Sequence, residues 1–108
     1  MSGRPQRGEI WLYTFKAPDK RRPVVVLTRE SVLPLLRTAM VAPVTSTIRG
    51  LPSEVLVGVA EGLKRDSAVN LDWVQTVEQR RLKHYLGSLD DSKMAQVCRA
   101  LAVATGCD

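Results

Sequence analysis

An arginine and a threonine stand at the ends of two β-branched runs in this 108-residue chain. Arg22 opens the run Arg22-Pro23-Val24-Val25-Val26, and Thr45 ends the run that closes with Pro43-Val44-Thr45. Strand ends that meet loops are the places where a small β-barrel presents side chains to a ligand. A guanidinium binds two phosphate oxygens at once, and a hydroxyl can donate a hydrogen bond to another. The two residue types therefore suit a phosphodiester.

If this chain cuts nucleic acid, the chemistry that suits such a pair is metal-free cleavage of RNA by the RNA's own 2′-hydroxyl. The 2′-oxygen must lose a proton, the phosphorane's extra charge must be stabilised, and the leaving 5′-oxygen must gain a proton. Arg22 suits the second task, and Thr45, with Ser46 and Thr47 beside it, can hydrogen-bond a non-bridging oxygen. Arginine stays protonated in proteins, so it is a poor general base. From the residues alone, a surface cation and an ordinary β-forming threonine remain the favoured interpretation.

The other reactive residues exclude several mechanisms. His84 is the single histidine, so a ribonuclease with two histidines as acid and base is excluded. The acidic residues form no close cluster of the kind that holds Mg²⁺, although distant ones could converge, and no glycine-rich phosphate loop occurs. Cys98 and Cys107 are too far apart on one predicted helix to bridge, so we expect reduced thiols, with Cys98 in the core. We expect no metal ion and no other cofactor.

The charge balance favours a polyanionic partner. Sixteen Lys and Arg against eleven Asp and Glu give a net charge of +5, and basic small domains tend to bind nucleic acid. Arg21 and Arg49 flank the two strand ends as candidate phosphate contacts, with solvated surface charge as the alternative. No apolar run approaches the roughly 20 residues of a membrane helix, and residues 1–6 resemble a frayed lead-in rather than a secretory signal. We expect one cytoplasmic domain over residues 1–108.

Hydrophobic periodicity predicts a series of short strands. Alternating or continuous apolar runs place them at residues 8–15, 24–28, 38–45, 53–59, 66–71, 74–77 and 82–89. Ala17-Pro18-Asp19 predicts a turn, and residues 29–37 a short helical turn or loop. Pro43 suggests a sheet edge or a bulge, and Gly87 a break in the last strand.

The period then changes to that of a helix. Asp90 or Asp91 can cap it, and Gly106 can end it. Its apolar stripe consists of Met94, Val97, Cys98, Leu101 and Ala104. One such helix would cover the open side of a barrel, and a sandwich would need more chain. The pattern therefore predicts a mainly β fold, a small barrel with a C-terminal helix.

Four motifs occur in a characteristic order. They are Gly8-Glu9-Ile10-Trp11, Arg22-Pro23-Val24-Val25-Val26, Pro43-Val44-Thr45-Ser46 and Arg65-Asp66-Ser67-Ala68-Val69. Together they resemble the MazF/PemK family of toxin endoribonucleases, from about residue 7 to the C-terminal helix. The resemblance implies an SH3-like barrel of the MazF/CcdB type, usually a homodimer. It also implies metal-independent, sequence-selective cleavage of single-stranded RNA that leaves a 2′,3′-cyclic phosphate and a 5′-hydroxyl.

The resemblance also assigns roles to residues. Arg22 and Thr45 occupy the family's catalytic arginine and threonine positions. Further candidate RNA contacts are Arg21, Ser46, Thr47 and Arg49. Asp72 matches an acidic position, and Trp73 stands where relatives often have glutamine. Its indole could stack on a base, while a place in the core or in a dimer interface is an equal alternative. The loop over residues 16–21 is shorter than in many relatives, so base preference does not transfer.

The resemblance further implies a toxin neutralised by a separate antitoxin. An acidic, initially disordered antitoxin segment would fold onto the basic groove and mask Arg22 and Thr45. One alternative is a gyrase-poisoning toxin of the same fold without nuclease activity, which the retained Arg22 and Thr45 disfavour. Another is a non-catalytic barrel that binds RNA with strong salt dependence and leaves it intact.

Overall fold

The structure, a computed structural model, describes residues 3–16 and 21–108, which form seven strands and one helix. The strands are β1 (Glu9–Thr14), β2 (Arg21–Val26), β3 (Thr38–Thr45), β4 (Glu54–Val57), β5 (Ser67–Asn70), β6 (Gln75–Glu78) and β7 (His84–Ser88), and the helix is α1 (Asp91–Thr105). Short 3₁₀ turns lie at Leu33–Leu35, Val59–Glu61, Leu71–Trp73 and Gln79–Arg81. The predicted mainly β fold with a C-terminal helix is confirmed. The turn predicted at Ala17-Pro18-Asp19 lies outside the described residues.

The strands form one antiparallel sheet in the order β4-β5-β3-β2-β1-β7, with β6 also paired to β3. Val24–Val26 of β2 are fully buried between β1 and β3, which explains why this run is continuously apolar. β3 pairs with β2 on one side and with β6 and then β5 on the other. The edge suggested by Pro43 is therefore wrong. Pro43 instead falls between the β6 and β5 pairings, where β3 changes partner.

Alternation along the central strands divides the buried side chains between two cores, one on each face of the sheet. One face of the sheet packs against α1. The core between them includes Ile10, Val25, Ala42 and Val44 of the strands and Val97 and Ala100 of the helix. The opposite face carries Trp11, Tyr13, Val24, Val26, Val41, Leu33, Val77 and Leu82. Both faces of the central strands are therefore covered.

The helix has the predicted start and end. Asp90 accepts a hydrogen bond from the Lys93 amide at 2.8 Å, and Gly106 ends the helix with a φ of 74°. The predicted burial of Cys98 is wrong, since Cys98 is exposed and its Sγ accepts from the Arg7 guanidinium at 3.3 Å. The buried stripe runs through Val97 and Ala100, and Cys98 lies at its margin. Cys98 and Cys107 are both unbridged.

Two glycines allow the two edges of the sheet, at β4 and β7, to approach each other closely. A Cβ on Gly62 would lie 2.3 Å from the Leu86 carbonyl oxygen, and one on Gly87 would lie 2.1 Å from that of Glu61. The turn after β4 therefore packs directly on the backbone of β7. β7 continues through Gly87, where a break was predicted, but its register against β1 shifts between Tyr85 and Gly87. The glycine is required by this close approach.

The start of β1 is anchored to the rest of the sheet. Within the lead-in expected over residues 1–6, Pro5 is buried, and the Gln6 amide donates to Glu9 Oε1 at 2.8 Å. Met1 and Ser2 lie outside the described residues. In the part of the chain that the structure describes, no helix is long and apolar enough to cross a membrane.

Candidate functional site

Strand register brings Arg22 and Thr45 together. The β2–β3 ladder pairs Val24 with Pro43, and the same register carried two residues further places Arg22 opposite Thr45. Residues opposite each other in an antiparallel pair project to the same face, as do residues two apart along a strand. Both residues line the same cavities at this end of the sheet. The topology thus joins the two predicted catalytic residues at one rim of the sheet. This rim is formed by the start of β2, which carries Arg22, and the end of β3, which carries Thr45.

The Arg22 side chain is available to a ligand. It is exposed, and its guanidinium forms no hydrogen bond or ion pair with any residue of 3–16 or 21–108. Its backbone is fixed in β2, paired with Tyr13 of β1. A permanently charged group on a rigid strand can therefore meet a phosphate without first breaking a contact within the protein.

The Thr45 hydroxyl is oriented by its own turn. Its Oγ1 accepts a hydrogen bond from the Thr47 amide at 3.0 Å, and its backbone pairs with Ala68 of β5. Because the hydroxyl oxygen is used as an acceptor in this turn, its O–H remains free to donate. Thr45 can therefore offer a directed hydrogen-bond donor beside the Arg22 cation.

The first cavity, of about 430 Å³, opens on one side of this rim. Its lining residues are Phe15, Arg22, Pro43, Thr45, Thr47, Arg49, Glu54, Asn70, Trp73 and Gln75. Trp73 is 63% exposed, so the structure places it outside the core. Asn70 Oδ1 accepts from the Asp72 amide at 3.0 Å, which leaves the Asn70 NH₂ group free to donate to a ligand. Aromatic and amide groups together suit a nucleobase.

A carboxylate that the sequence reasoning missed holds the loop carrying Arg49. Glu54 Oε1 accepts from the backbone amides of Arg49, Gly50 and Leu51 at 3.1, 2.9 and 3.3 Å. Three amides converging on one carboxylate oxygen fix the loop's path, and Gly50 has a φ of 74° there. The sequence feature that could have identified Glu54 is an acidic residue at the start of a strand, shortly after a glycine turn.

The second cavity, of about 700 Å³, opens on the other side of the same rim. Arg22, Thr45 and Thr47 line both cavities. Arg21, Ser46, Lys64 and Arg65 line only the second. Neighbouring residues of a strand point to opposite faces, which explains why Arg21 turns away from the first cavity.

Asp72 is the one predicted site residue that the structure does not bring to either cavity. Its Oδ2 accepts from the Ser53 hydroxyl at 2.5 Å, and its amide donates to Asn70. These contacts hold the 3₁₀ turn that carries Trp73, so Asp72 supports the first cavity from outside. His84 is exposed on β7 and lines neither cavity. Among the described residues, no three His, Cys, Asp or Glu side chains are placed to hold a metal ion.

Comparison with known proteins gives consistent results across sequence and structure. Residues 6–105 match the family described as PemK-like, MazF-like toxin of type II toxin–antitoxin system. The chain is 48% identical over 108 residues to a probable endoribonuclease MazF5 of Mycobacterium tuberculosis, covering 99% of this chain and 98% of the relative. It is 41% identical over 90 residues to endoribonuclease MazF3 of the same organism, covering 83% and 87%.

Solved structures agree with the fold. The Mycobacterium tuberculosis toxin MazF-mt6 superposes with a TM-score of 0.85 at 38% identity, covering 93% of this chain and 98% of that one. A MazE-MazF crystal structure from Deinococcus radiodurans matches with a TM-score of 0.78 at 25% identity, covering 96% and 98%. The predicted SH3-like barrel with a C-terminal helix is confirmed by these neighbours.

Proposed function

We propose, since this chain belongs to the family of PemK-like, MazF-like toxins of type II toxin–antitoxin systems and is an endoribonuclease, that it cuts single-stranded RNA at the rim shared by the two cavities. The observation that carries this proposal is the pairing of an unengaged guanidinium, Arg22, with the free O–H of Thr45 on adjacent strand ends. The scissile phosphate would lie between them.

The proposed reaction uses the substrate's own nucleophile and no metal ion. The 2′-oxygen attacks the adjacent phosphorus, so that the P–O2′ bond forms and the P–O5′ bond breaks. The 2′-hydroxyl gives up its proton to solvent water and the 5′-oxygen takes one from solvent, which leaves a 2′,3′-cyclic phosphate and a 5′-hydroxyl. Arg22 and Thr45 bind the non-bridging oxygens most strongly as negative charge accumulates on them, which lowers the barrier. Because a guanidinium is a poor general base, the role we assign to Arg22 is charge stabilisation.

The cavities extend this site along the RNA chain. Arg21, Ser46, Thr47 and Arg49 can bind phosphates next to the cut, because their side chains line the cavities on either side of it. Trp73 can stack on a splayed base in the first cavity, where the Asn70 amide can reach the base edge. Asp72 lines neither cavity, and its proposed role is to position the turn of Trp73.

The proposed partners are an acidic antitoxin and a second copy of this chain. A net charge of +5 favours an acidic segment that competes with RNA for the same rim. The Deinococcus relative was solved as a MazE-MazF structure, which supports an antitoxin partner here. The assembly would act on RNA in the cytoplasm, as a homodimer of the family type.

Cleavage of a long defined RNA in EDTA tests this proposal. We expect discrete fragments with 5′-hydroxyl ends from the native protein. Arg22→Ala and Thr45→Val should each lower the rate by roughly 10²–10³-fold, the usual effect of removing one group that stabilises a transition-state oxyanion. Thr45→Ser, which keeps the hydroxyl, is the matched control and should retain most of the activity.

Thermal melting of every variant checks that it is folded. Cleavage that requires a divalent metal would contradict the proposed chemistry. RNA that is bound but left intact by the folded native protein would instead indicate a non-catalytic RNA-binding barrel.

A further inference from the structure

Two cations beside the cutting site serve none of the steps above. Lys64 and Arg65 lie on the loop before β5 and line the second cavity together with Arg21 and Arg22. No carboxylate of the described residues lines this cavity. The side chains of Lys64 and Arg65 are exposed and form no hydrogen bond or ion pair within the described part of the chain.

The loop that carries these cations is rigidly held. The Gly58 amide donates to Glu61 Oε1 at 2.6 Å, and the Leu63 amide donates to the Gly58 carbonyl at 3.2 Å. Leu63 is buried, and Gly62 packs against the backbone of β7 too closely to admit a Cβ. The loop therefore presents Lys64 and Arg65 from a fixed position, with little order still to be imposed when a ligand binds.

Four cations line this one cavity, namely Arg21, Arg22, Lys64 and Arg65. Like charges at short range repel, and neither Lys64 nor Arg65 offsets this by a contact with a described acidic group. The arrangement becomes favourable when a polyanion enters, because each cation then neutralises a phosphate and releases a condensed counterion.

We propose that Lys64 and Arg65 bind successive phosphates of the substrate on one side of the scissile bond. This proposal rests on the proposed function, which places the scissile phosphate between Arg22 and Thr45. Since both of those residues also line the second cavity, an RNA chain held at the rim is covalently continuous with a segment that can enter it. An antitoxin carboxylate would meet the same cations, and the salt dependence of RNA binding distinguishes the two ligands.

The test is the salt dependence of RNA binding. The probe is an oligonucleotide that spans the mapped cut site and carries a 2′-O-methyl group at the cut nucleotide, so that it binds without being cleaved. The double variant Lys64→Ala/Arg65→Ala is compared with the control Lys83→Ala/Arg99→Ala. The control also removes one lysine and one arginine, but from exposed positions that line neither cavity. Losing two phosphate contacts should reduce the slope of log affinity against log salt by about 1.4 for single-stranded RNA.

A second measurement varies the length of the probe. Extending the oligonucleotide on one side of the cut should tighten binding to the native protein and to the control, and not to the Lys64→Ala/Arg65→Ala variant. Should that variant melt below the native protein, Lys64→Gln/Arg65→Gln repeats both measurements with more of each side chain retained.

An unchanged slope together with an unchanged length dependence would overturn the proposal. Weakened antitoxin binding with a native RNA slope would also overturn it, and would assign the cavity to the antitoxin. Because the probe is not cut, these outcomes are read independently of whether the native protein cleaves RNA.

Discussion

At the scale of single residues, the site is built from side chains that use one polar atom for the fold and leave another for a ligand. Thr45 accepts from the Thr47 amide and keeps its O–H, and Asn70 accepts from the Asp72 amide and keeps its NH₂. Glu54 uses one oxygen to hold three amides of the loop bearing Arg49. Groups held in this way need no reorganisation when charge develops on the substrate, which is the condition for strong electrostatic stabilisation.

Trp73 gives the residue-scale prediction. Base stacking on an aromatic ring is worth about 1–3 kcal/mol, so Trp73→Ala should raise KM by roughly five-fold to a hundred-fold. Trp73→Phe keeps an aromatic face and is expected to recover most of the affinity. Because the indole is 63% exposed, neither change should lower the melting temperature appreciably. Steady-state kinetics on a short RNA that contains the cut site measures the effect.

A role of Trp73 in a dimer interface would appear differently. It would lower the melting temperature of Trp73→Ala and leave KM unchanged in the folded fraction. That result would contradict the stacking assignment.

At the scale of elements, periodicity correctly predicted the strands and helix ends that are determined by the local sequence. The strand at Thr38–Thr45 and the helix with its Asp90 cap and Gly106 end were predictable, because alternation, capping and glycine stops act over a few residues. The features that the sequence did not predict depend on contacts between residues far apart in the chain. Gly87 suggested a break until the turn bearing Gly62 was placed against it.

The site was predictable to a similar extent. Motif order selected Arg22 and Thr45 as candidate catalytic residues, and the register of β2 against β3 then supplied a reason for their proximity. Glu54 and Asn70 were missed because their importance comes from loops that meet only in the folded barrel. The prediction for Cys98 was wrong because apolar periodicity indicates which face of a helix is buried but not how wide that face is. The buried face of α1 is narrow.

Gly87 gives the element-scale prediction. A Cβ there would lie 2.1 Å from the Glu61 carbonyl, so Gly87→Ala must push apart β7 and the turn that closes the sheet. We expect a loss of about 1–3 kcal/mol, the usual cost of overpacking, and a fall of several degrees in melting temperature. Gly3→Ala is the matched control, since a Cβ at Gly3 meets nothing within 4 Å. Equal melting temperatures for the two variants would contradict the closure described for Gly62 and Gly87.

At the scale of the whole molecule, the fold gathers five cations around the two cavities, namely Arg21, Arg22, Arg49, Lys64 and Arg65. The net charge of +5 draws polyanions, and these five cations are exposed around the two cavities. An antitoxin that covers these cavities would inhibit by competition alone. No conformational change in the toxin is needed for neutralisation.

The most direct test of the central claim is made on the substrate. A single 2′-deoxy substitution is placed at the nucleotide whose 2′-oxygen should attack, in an RNA that the protein cuts at one site. The account predicts that cleavage at this bond is lost while binding is retained, because Arg22 and Thr45 still have a phosphate to bind but no nucleophile is present. Continued cleavage at the same bond would show that another nucleophile, such as water, performs the attack, and would contradict the mechanism.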